Sequence, residues 1–261
     1  METMKKGVQD SLRYIPLLQE LVKRDFKMKY KRTYLGMLWS MLDPLLHMLV
    51  ITIVFSQLLG RDIQYFAVYV MTGRLALTFF VQAANGGVSS FVGGGLYIKS
   101  VKMPLYMLPL SKAVSALINE ALSLLALAFI IWITGAGFKW TILLLPVPIF
   151  YIFLFSFGMG MALATWMVFF RDTSHLFGVV TTLLQFLTPV FYSADSVPVN
   201  FQWIFQINPL YHFVTMMRKL VMYGTLPTLI DHLICVSCCA AALLVGAAVY
   251  RNGRNKFILH L

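Results

Sequence analysis

The chain has 261 residues, of which 59% are hydrophobic and 12% charged, and a formal net charge of +11. A soluble domain of this length is about half apolar and about a quarter charged; a mean hydropathy of +0.78, concentrated in long blocks, excludes a soluble core and points to a polytopic membrane protein. The basic excess would suggest nucleic acid in a soluble chain, but its placement assigns it to membrane topology, and no nucleic-acid partner is expected.

Residues 1–36 are the longest polar stretch. They contain no short apolar core with a small-residue cleavage site, so they do not read as a cleavable signal. Ile15, Leu18, Val22 and Phe26 recur at helical spacing, with Arg13, Glu20, Lys23, Arg24 and Lys27 on the opposite face. This pattern predicts an amphipathic helix lying in the membrane surface, with Glu20 four residues before Arg24 as a weak supporting pair. The run Arg24, Lys27, Lys29, Lys31 and Arg32 has two readings. One is an anchor to anionic lipid, at about 1 kcal/mol per cation near the surface. The other is a collector for the headgroup of an anionic lipid-linked substrate.

Six blocks then reach the length needed to cross about 30 Å of hydrocarbon: 37–58, 65–90, 105–134, 141–170, 175–193 and 228–250. Together they make 37–261 one all-α transmembrane domain. The connection 91–104 contains Gly93-Gly94-Gly95-Leu96-Tyr97-Ile98-Lys99-Ser100, a near miss to a phosphate-binding loop. Ile98 stands where that loop needs Gly for its turn and close backbone approach, so ATP hydrolysis is not expected on this chain. Leu96, Tyr97 and Ile98 alternate with Lys99 and Lys102, and Pro104 stops the segment. It reads as a short amphipathic cytosolic element or as an ordinary basic loop. Arg171-Asp172 is a tight turn in which Asp172 or Thr173 is placed to cap the next helix. A seventh, weaker block, 201–223, carries Gln202, Gln206, Asn208, His212, Arg218 and Lys219 and is interrupted by Pro209. Such residues are costly against lipid, so 195–224 is expected to be a re-entrant or interfacial outer segment, with Asn208 as N-cap and Pro209 opening its helix. Six spans then put 16 of the 21 Lys and Arg residues on one side. By the positive-inside rule that side is the cytoplasm, with both termini and the tail 251–261 on it.

Three charges fall inside spans: Asp43, Arg74 and Glu120. Intramembrane ionisable residues are functional candidates. The depths of Arg74 and Glu120 match closely enough for an ion pair, and Asp43, just before Pro44, fits a local helix role. Aromatic faces suited to stacking on sugar rings include Phe79, Phe80, Phe169, Phe170, Phe186, Phe191 and Tyr192, while Trp39 and Trp140 suit the interfaces. Cys235, Cys238 and Cys239 cluster in one apolar block, where a packing role fits better than a disulfide or metal site.

The string Arg24-Asp25-x-Lys27-x-Lys29-Tyr30-Lys31-Arg32-x-x-Leu35-Gly36-x-x-Trp39-Ser40-x-x-x-Pro44 resembles the signature of permease subunits of polysaccharide-exporting ABC transporters, of the O-antigen, capsule and teichoic-acid type. The six spans, the loop around Lys99 to Pro104, the Arg171-Asp172 turn and Asn208-Pro209 followed by Arg218 extend the resemblance over nearly the whole chain. It implies a homodimer in the plasma (inner) membrane bound to two ATP-binding cassette subunits, which carry the ATP and Mg²⁺; no cofactor is expected on this chain. It also implies ATPase coupling through Leu96, Tyr97, Ile98, Lys99, Lys102, Pro104, Arg171 and Asp172. It further implies outer re-entrant helices that close the mouth of a path, for which the candidate lining is Phe79, Phe80, Phe186, Phe191, Tyr192 and Arg218, and a lipid-linked polysaccharide as substrate. A drug or small-lipid exporter lacks the basic N-terminal motif. An ion-coupled transporter would show inverted repeats, and a sugar transferase would cluster its carboxylates or histidines.

Overall fold

The computed structural model describes residues 14–56, 63–94, 103–254 and 257. Helix α1 (Ile15–Tyr30) carries Pro16 in its first turn, where the missing N–H costs nothing, and Lys27 and Lys29 in its last, where they suit the helix dipole. Only Leu21 and Val22 are buried, the narrow apolar stripe of an interfacial helix. Within it Glu20 pairs with Lys23 at 2.7 Å and Arg24 with Asp25 at 3.2 Å. Left-handed Arg32 and Gly36 then redirect the chain through the turn Gly36–Leu38 into α2 (Trp39–Phe55).

The remaining helices are α3 (Phe66–Val88), α4 (Ser90–Gly93), α5 (Met107–Thr134), α6 (Pro146–Phe169), α7 (Thr173–Leu187), α8 (Trp203–Ile207), α9 (Pro209–Arg218) and α10 (Leu229–Gly253). Among the described residues there is no strand. Among the described residues, five helical segments are long and apolar enough to cross a membrane: Gly36–Phe55, Phe66–Val88, Met107–Thr134, Trp140–Phe169 and Leu229–Gly253. The protein is an all-α membrane protein. The block 175–193 is only partly helical. The 15 residues of α7 rise about 22 Å, and the chain continues extended from Thr188.

Helix α3 is the centre. Its apolar window is 72% buried, against 17% for α2, and it packs on α2, α5, α6 and α9. A helix apolar over most of its circumference belongs inside the bundle. Close helix approach depends on small residues, because lipid tails supply no hydrophobic drive between spans. A Cβ on Gly158 would lie 2.5 Å from the backbone carbon of Ala242, so α6 and α10 meet backbone to backbone. Cys235 and Cys239 are buried on α10, and the Cys239 thiol donates to the Tyr151 carbonyl at 3.1 Å.

A second, smaller core joins the elements at the α1 end of the bundle. Leu21, Phe91, Leu108, Ala164, Val168 and Phe257 are buried together, with Leu17, Met103, Leu105 and Tyr250 against them. It holds α1, both flanks of the 91–104 connection, the end of α6 and the tail. Leu96, Tyr97, Ile98, Lys99 and Lys102 lie outside the described residues. Pro104 opens α5, its carbonyl accepting from the Met107 N–H at 3.1 Å.

Candidate functional site

A polar crevice begins where α1 ends and runs between α2, α3 and α5. Its outer lobe, about 380 Å³, is lined by Asp25, Lys29, Gln82, Lys112, Ser115 and Asn119 among others. Its inner lobe, about 300 Å³, shares Lys29, Gln82 and Asn119 and continues to Trp39, Asp43, Thr78 and Glu120. Glu120 lies 13 residues into α5, about 20 Å along its axis at 1.5 Å per residue. The polar lining therefore reaches roughly to the depth of the bilayer midplane. A hydrogen-bond knot fixes the crevice wall. Tyr30 Oη bonds Ser40 Oγ and donates to Asn119 Oδ1 at 2.7 Å. Ser40 also reaches Asn119 Oδ1 at 3.2 Å, and Ser123 Oγ donates to the Ser40 carbonyl at 2.8 Å. At the mouth Lys112 Nζ bridges to Asp25 at 2.8 Å. In this way α1 is pinned to α5 by one salt bridge and one tyrosine.

At the opposite end, a buried cation clamps the outer segment. Asn208 caps α9, accepting from the Leu210 N–H at 3.0 Å, while its Nδ2 donates to the Thr188 hydroxyl at 2.9 Å and the Leu187 carbonyl at 3.3 Å. Ten residues on, Arg218 is 5% exposed. Its guanidinium lies 3.4 Å from the Tyr69 ring centroid and donates to the carbonyls of Val190 at 3.1 Å and Tyr69 at 3.3 Å. Tyr69 Oη in turn donates to the Tyr192 carbonyl at 2.8 Å. A Cβ at Gly73 would sit 2.8 Å from Arg218 Nη2 and 3.2 Å from Val190 Cα, so any larger residue there would displace the guanidinium. Lys219, in the π turn that follows α9, bonds Asp231 at 2.5 Å, and Thr141 Oγ1 donates to the Leu220 carbonyl at 2.5 Å. The outer segment is thus fastened to α3, to the end of α7, to α10 and to the turn before α6. Beside it, Phe191 stacks on Phe55 at 5.6 Å and meets Phe186 and Tyr192 edge-on, and Tyr192 contacts Phe205 at 6.2 Å.

Residues 16–222 match the family model described as ABC-2 type transporter. The chain belongs to the ABC-2 type transporter family. It is similar along nearly its whole length to the O-antigen export system permease protein RfbA of Myxococcus xanthus, with 27% identity over 252 residues covering 96% of this chain and 97% of that protein. A Klebsiella pneumoniae protein of the same name is 28% identical over 214 residues, covering 80% of this chain and 82% of that one. The polysialic acid transport protein KpsM of Escherichia coli is 24% identical over 255 residues, covering 92% of this chain and 95% of that one. An ABC-2 permease is a multi-pass transport subunit, not an enzyme, and it associates with separate ATP-binding subunits.

In this ABC-2 permease several candidate residues sit where the sequence places them and others do not. Arg24, Lys27 and Lys29 lie on α1, and Lys31 and Arg32 in the turn after it; of these, Lys29 lines the crevice. Phe79 and Phe80 are buried in the main core, Phe80 against Phe155 and Phe177. Phe170 and Phe186 are exposed, and Phe191 and Tyr192 half-buried. Arg171 and Asp172 are exposed between α6 and α7. Asp172 does not cap α7 with its side chain. Its backbone is already helical (φ −70, ψ −10) rather than extended, so its carboxylate does not reach the first-turn N–H groups. Thr173 Oγ1 donates backwards to the Phe170 carbonyl at 2.6 Å.

The expected Arg74–Glu120 pair does not form. No salt bridge joins the two, and Arg74 Nε and Glu120 Oε1 are both buried without a hydrogen-bond partner. Glu120 lines the crevice together with Thr78 and Gln82 of α3, one and two turns along that helix from Arg74. Asp43 Oδ1 lies 3.6 Å from His47 Nε2 one turn on. The Arg218–Tyr69 clamp was missed because no local pattern ties positions 149 residues apart. A buried arginine with no nearby carboxylate in the sequence was the available signal.

Proposed function

We propose that this permease is the membrane half of an ATP-driven exporter that moves a lipid-linked, O-antigen-like polysaccharide from the cytosol outward. The carrying observation is the end-to-end similarity to an O-antigen export permease, 97% of which aligns. The similarity to KpsM keeps a capsule-type glycan as the second reading, which analysis of the glycan retained by the purified complex decides.

In this reading α7 with its extended end is the sixth crossing, and the α1 face is cytoplasmic because most of the cations gather there. The working unit is a homodimer. His47, beside Asp43 on α2, has a side chain 55% exposed on a membrane helix, and polar groups facing lipid are expensive. A second copy or a water-filled path covering α2 and the apolar outer face of α7 removes that cost. The same apposition brings the cluster around Phe186, Phe191 and Tyr192 to the path. Leu96 to Lys102, with Pro104 and the Arg171-Asp172 turn, receive the stroke of the ATPase. The shared core of α1, Phe91, Leu108 and Phe257 supports its transmission to the crevice. Lys27, Lys29 and Lys31 hold α1 at the surface and meet the anionic headgroup.

The test is the double variant Tyr97→Ala/Lys99→Ala. It should insert normally yet lose export and stimulation of the ATPase partner; normal export would remove the coupling role.

A further inference from the structure

We propose that the crevice beneath α1 is a binding subsite for one neutral, hydroxyl-rich sugar ring of the transported glycolipid. This deepens the exporter reading and rests on it. The two lobes, about 380 and 300 Å³, are each of the size that holds a small ligand or a ring of a larger one. Their walls carry hydrogen-bonding capacity that the fold itself does not use. Glu120 is 4% exposed, lines the inner lobe, and its Oε1 has no partner. Ser115 Oγ, on the outer lobe, is likewise buried and unpartnered. Asn119 spends its carbonyl on Tyr30 and Ser40, which leaves its amide N–H groups to the space that both lobes share. Gln82 lines both lobes as well. At membrane depth such groups are satisfied by protein, by water or by a ligand.

The charges select the ligand class. Past Lys29, an anion entering the inner lobe would meet the Asp43 carboxylate, which disfavours a phosphate at depth. A metal ion would pass Lys29 and Lys112 at the mouth, and no group of three metal-ligating side chains exists among the described residues. An apolar ligand would strand Glu120, Asn119 and Gln82. A neutral polyol supplies donors and acceptors to the carboxyl and amide groups, and Tyr30 and Trp39, which line the same lobe, add amphipathic side chains suited to the C–H side of a pyranose. Lys29, which belongs to both lobes, stays at the rim, where a lipid phosphate would remain outside.

The experiment uses the permease purified with its ATPase partner in nanodiscs. Two probes are compared: glycan-bearing lipid extracted from the source cells, and the same lipid after removal of its glycan. Gln82→Leu and Glu120→Gln are chosen because Gln82 is exposed and the glutamine is isosteric with Glu120. Each should raise the glycolipid concentration for half-maximal ATPase stimulation at least fivefold, and the double variant at least tenfold. The response to stripped lipid should stay as in the wild type, and the thermal midpoint of the complex should be unchanged. A wild-type-like glycolipid response in the double variant overturns the subsite, as does an equal loss toward both lipids. Both leave the exporter reading standing. A wild-type complex that ignores the glycolipid overturns the exporter reading, and the subsite with it.

Discussion

Replacing Tyr69 by Leu tests whether the outer segment is held by its buried cation. The substitution removes the ring that lies 3.4 Å from the Arg218 guanidinium and the hydroxyl that donates to the Tyr192 carbonyl, but leaves the charge in place. A desolvated cation–π contact contributes about 2 kcal/mol and the hydrogen bond about 1 kcal/mol net. A loss of about 3 kcal/mol corresponds to roughly 100-fold in the opening equilibrium of the segment. Hydrogen–deuterium exchange reads this at the amides of Thr188 and Val190, which donate to Leu184 and Thr188 at 2.9 and 2.7 Å. Their exchange should accelerate roughly 100-fold while amides in the middle of α3 remain protected. Adding Arg218→Met should recover part of the loss, because the uncompensated charge is then gone. Exchange within threefold of wild type in a folded Tyr69→Leu protein would refute the clamp.

Other consequences are more local. Gly158→Val should push α6 from α10, whose backbone lies 2.5 Å from the introduced Cβ; overpacking of this kind costs about 1–3 kcal/mol or more, visible as a lower thermal midpoint in detergent. Asn208→Ala removes the α9 cap and two bonds to the end of α7. It should destabilise the outer segment by about 1–2 kcal/mol and speed proteolysis near 194–208, with no change near α1. Asp25→Asn should weaken the bridge to Lys112 and increase labelling of a Ser115→Cys reporter by a soluble maleimide, since Asp25 and Ser115 share the outer lobe.

Most of the architecture was legible in the sequence, because hydropathy and length alone define membrane crossings. The blocks 65–90, 105–134 and 141–170 coincide closely with α3, α5 and the Trp140–Phe169 segment. The Asn208-Pro209 helix start was equally readable, since capping is local chemistry. What failed required axial register or partner identity. Arg74 and Glu120 were paired by depth counted from block ends, which a single helical turn displaces; Glu120 instead lines the crevice with Thr78 and Gln82, one and two turns along α3 from Arg74. Phe79 and Phe80 are indistinguishable by type from Phe186, yet only Phe186 reaches the surface. The crevice draws on α1, α2, α3 and α5 at once, and no spacing within one segment announces it. The basic run 24–32 gains a more specific context: its Lys29 stands at the rim of that crevice.

The most direct measurement of the central claim is translocation itself. The permease and its ATPase partner, reconstituted into liposomes with glycan-bearing lipid loaded on the ATPase side, should deliver the glycan to the opposite leaflet. Delivery, followed by a membrane-impermeant glycosidase or lectin, should require ATP and Mg²⁺ and should disappear in Tyr97→Ala/Lys99→Ala. Delivery that proceeds at the same rate without ATP, or that is absent from an intact and ATPase-active complex, would contradict the account.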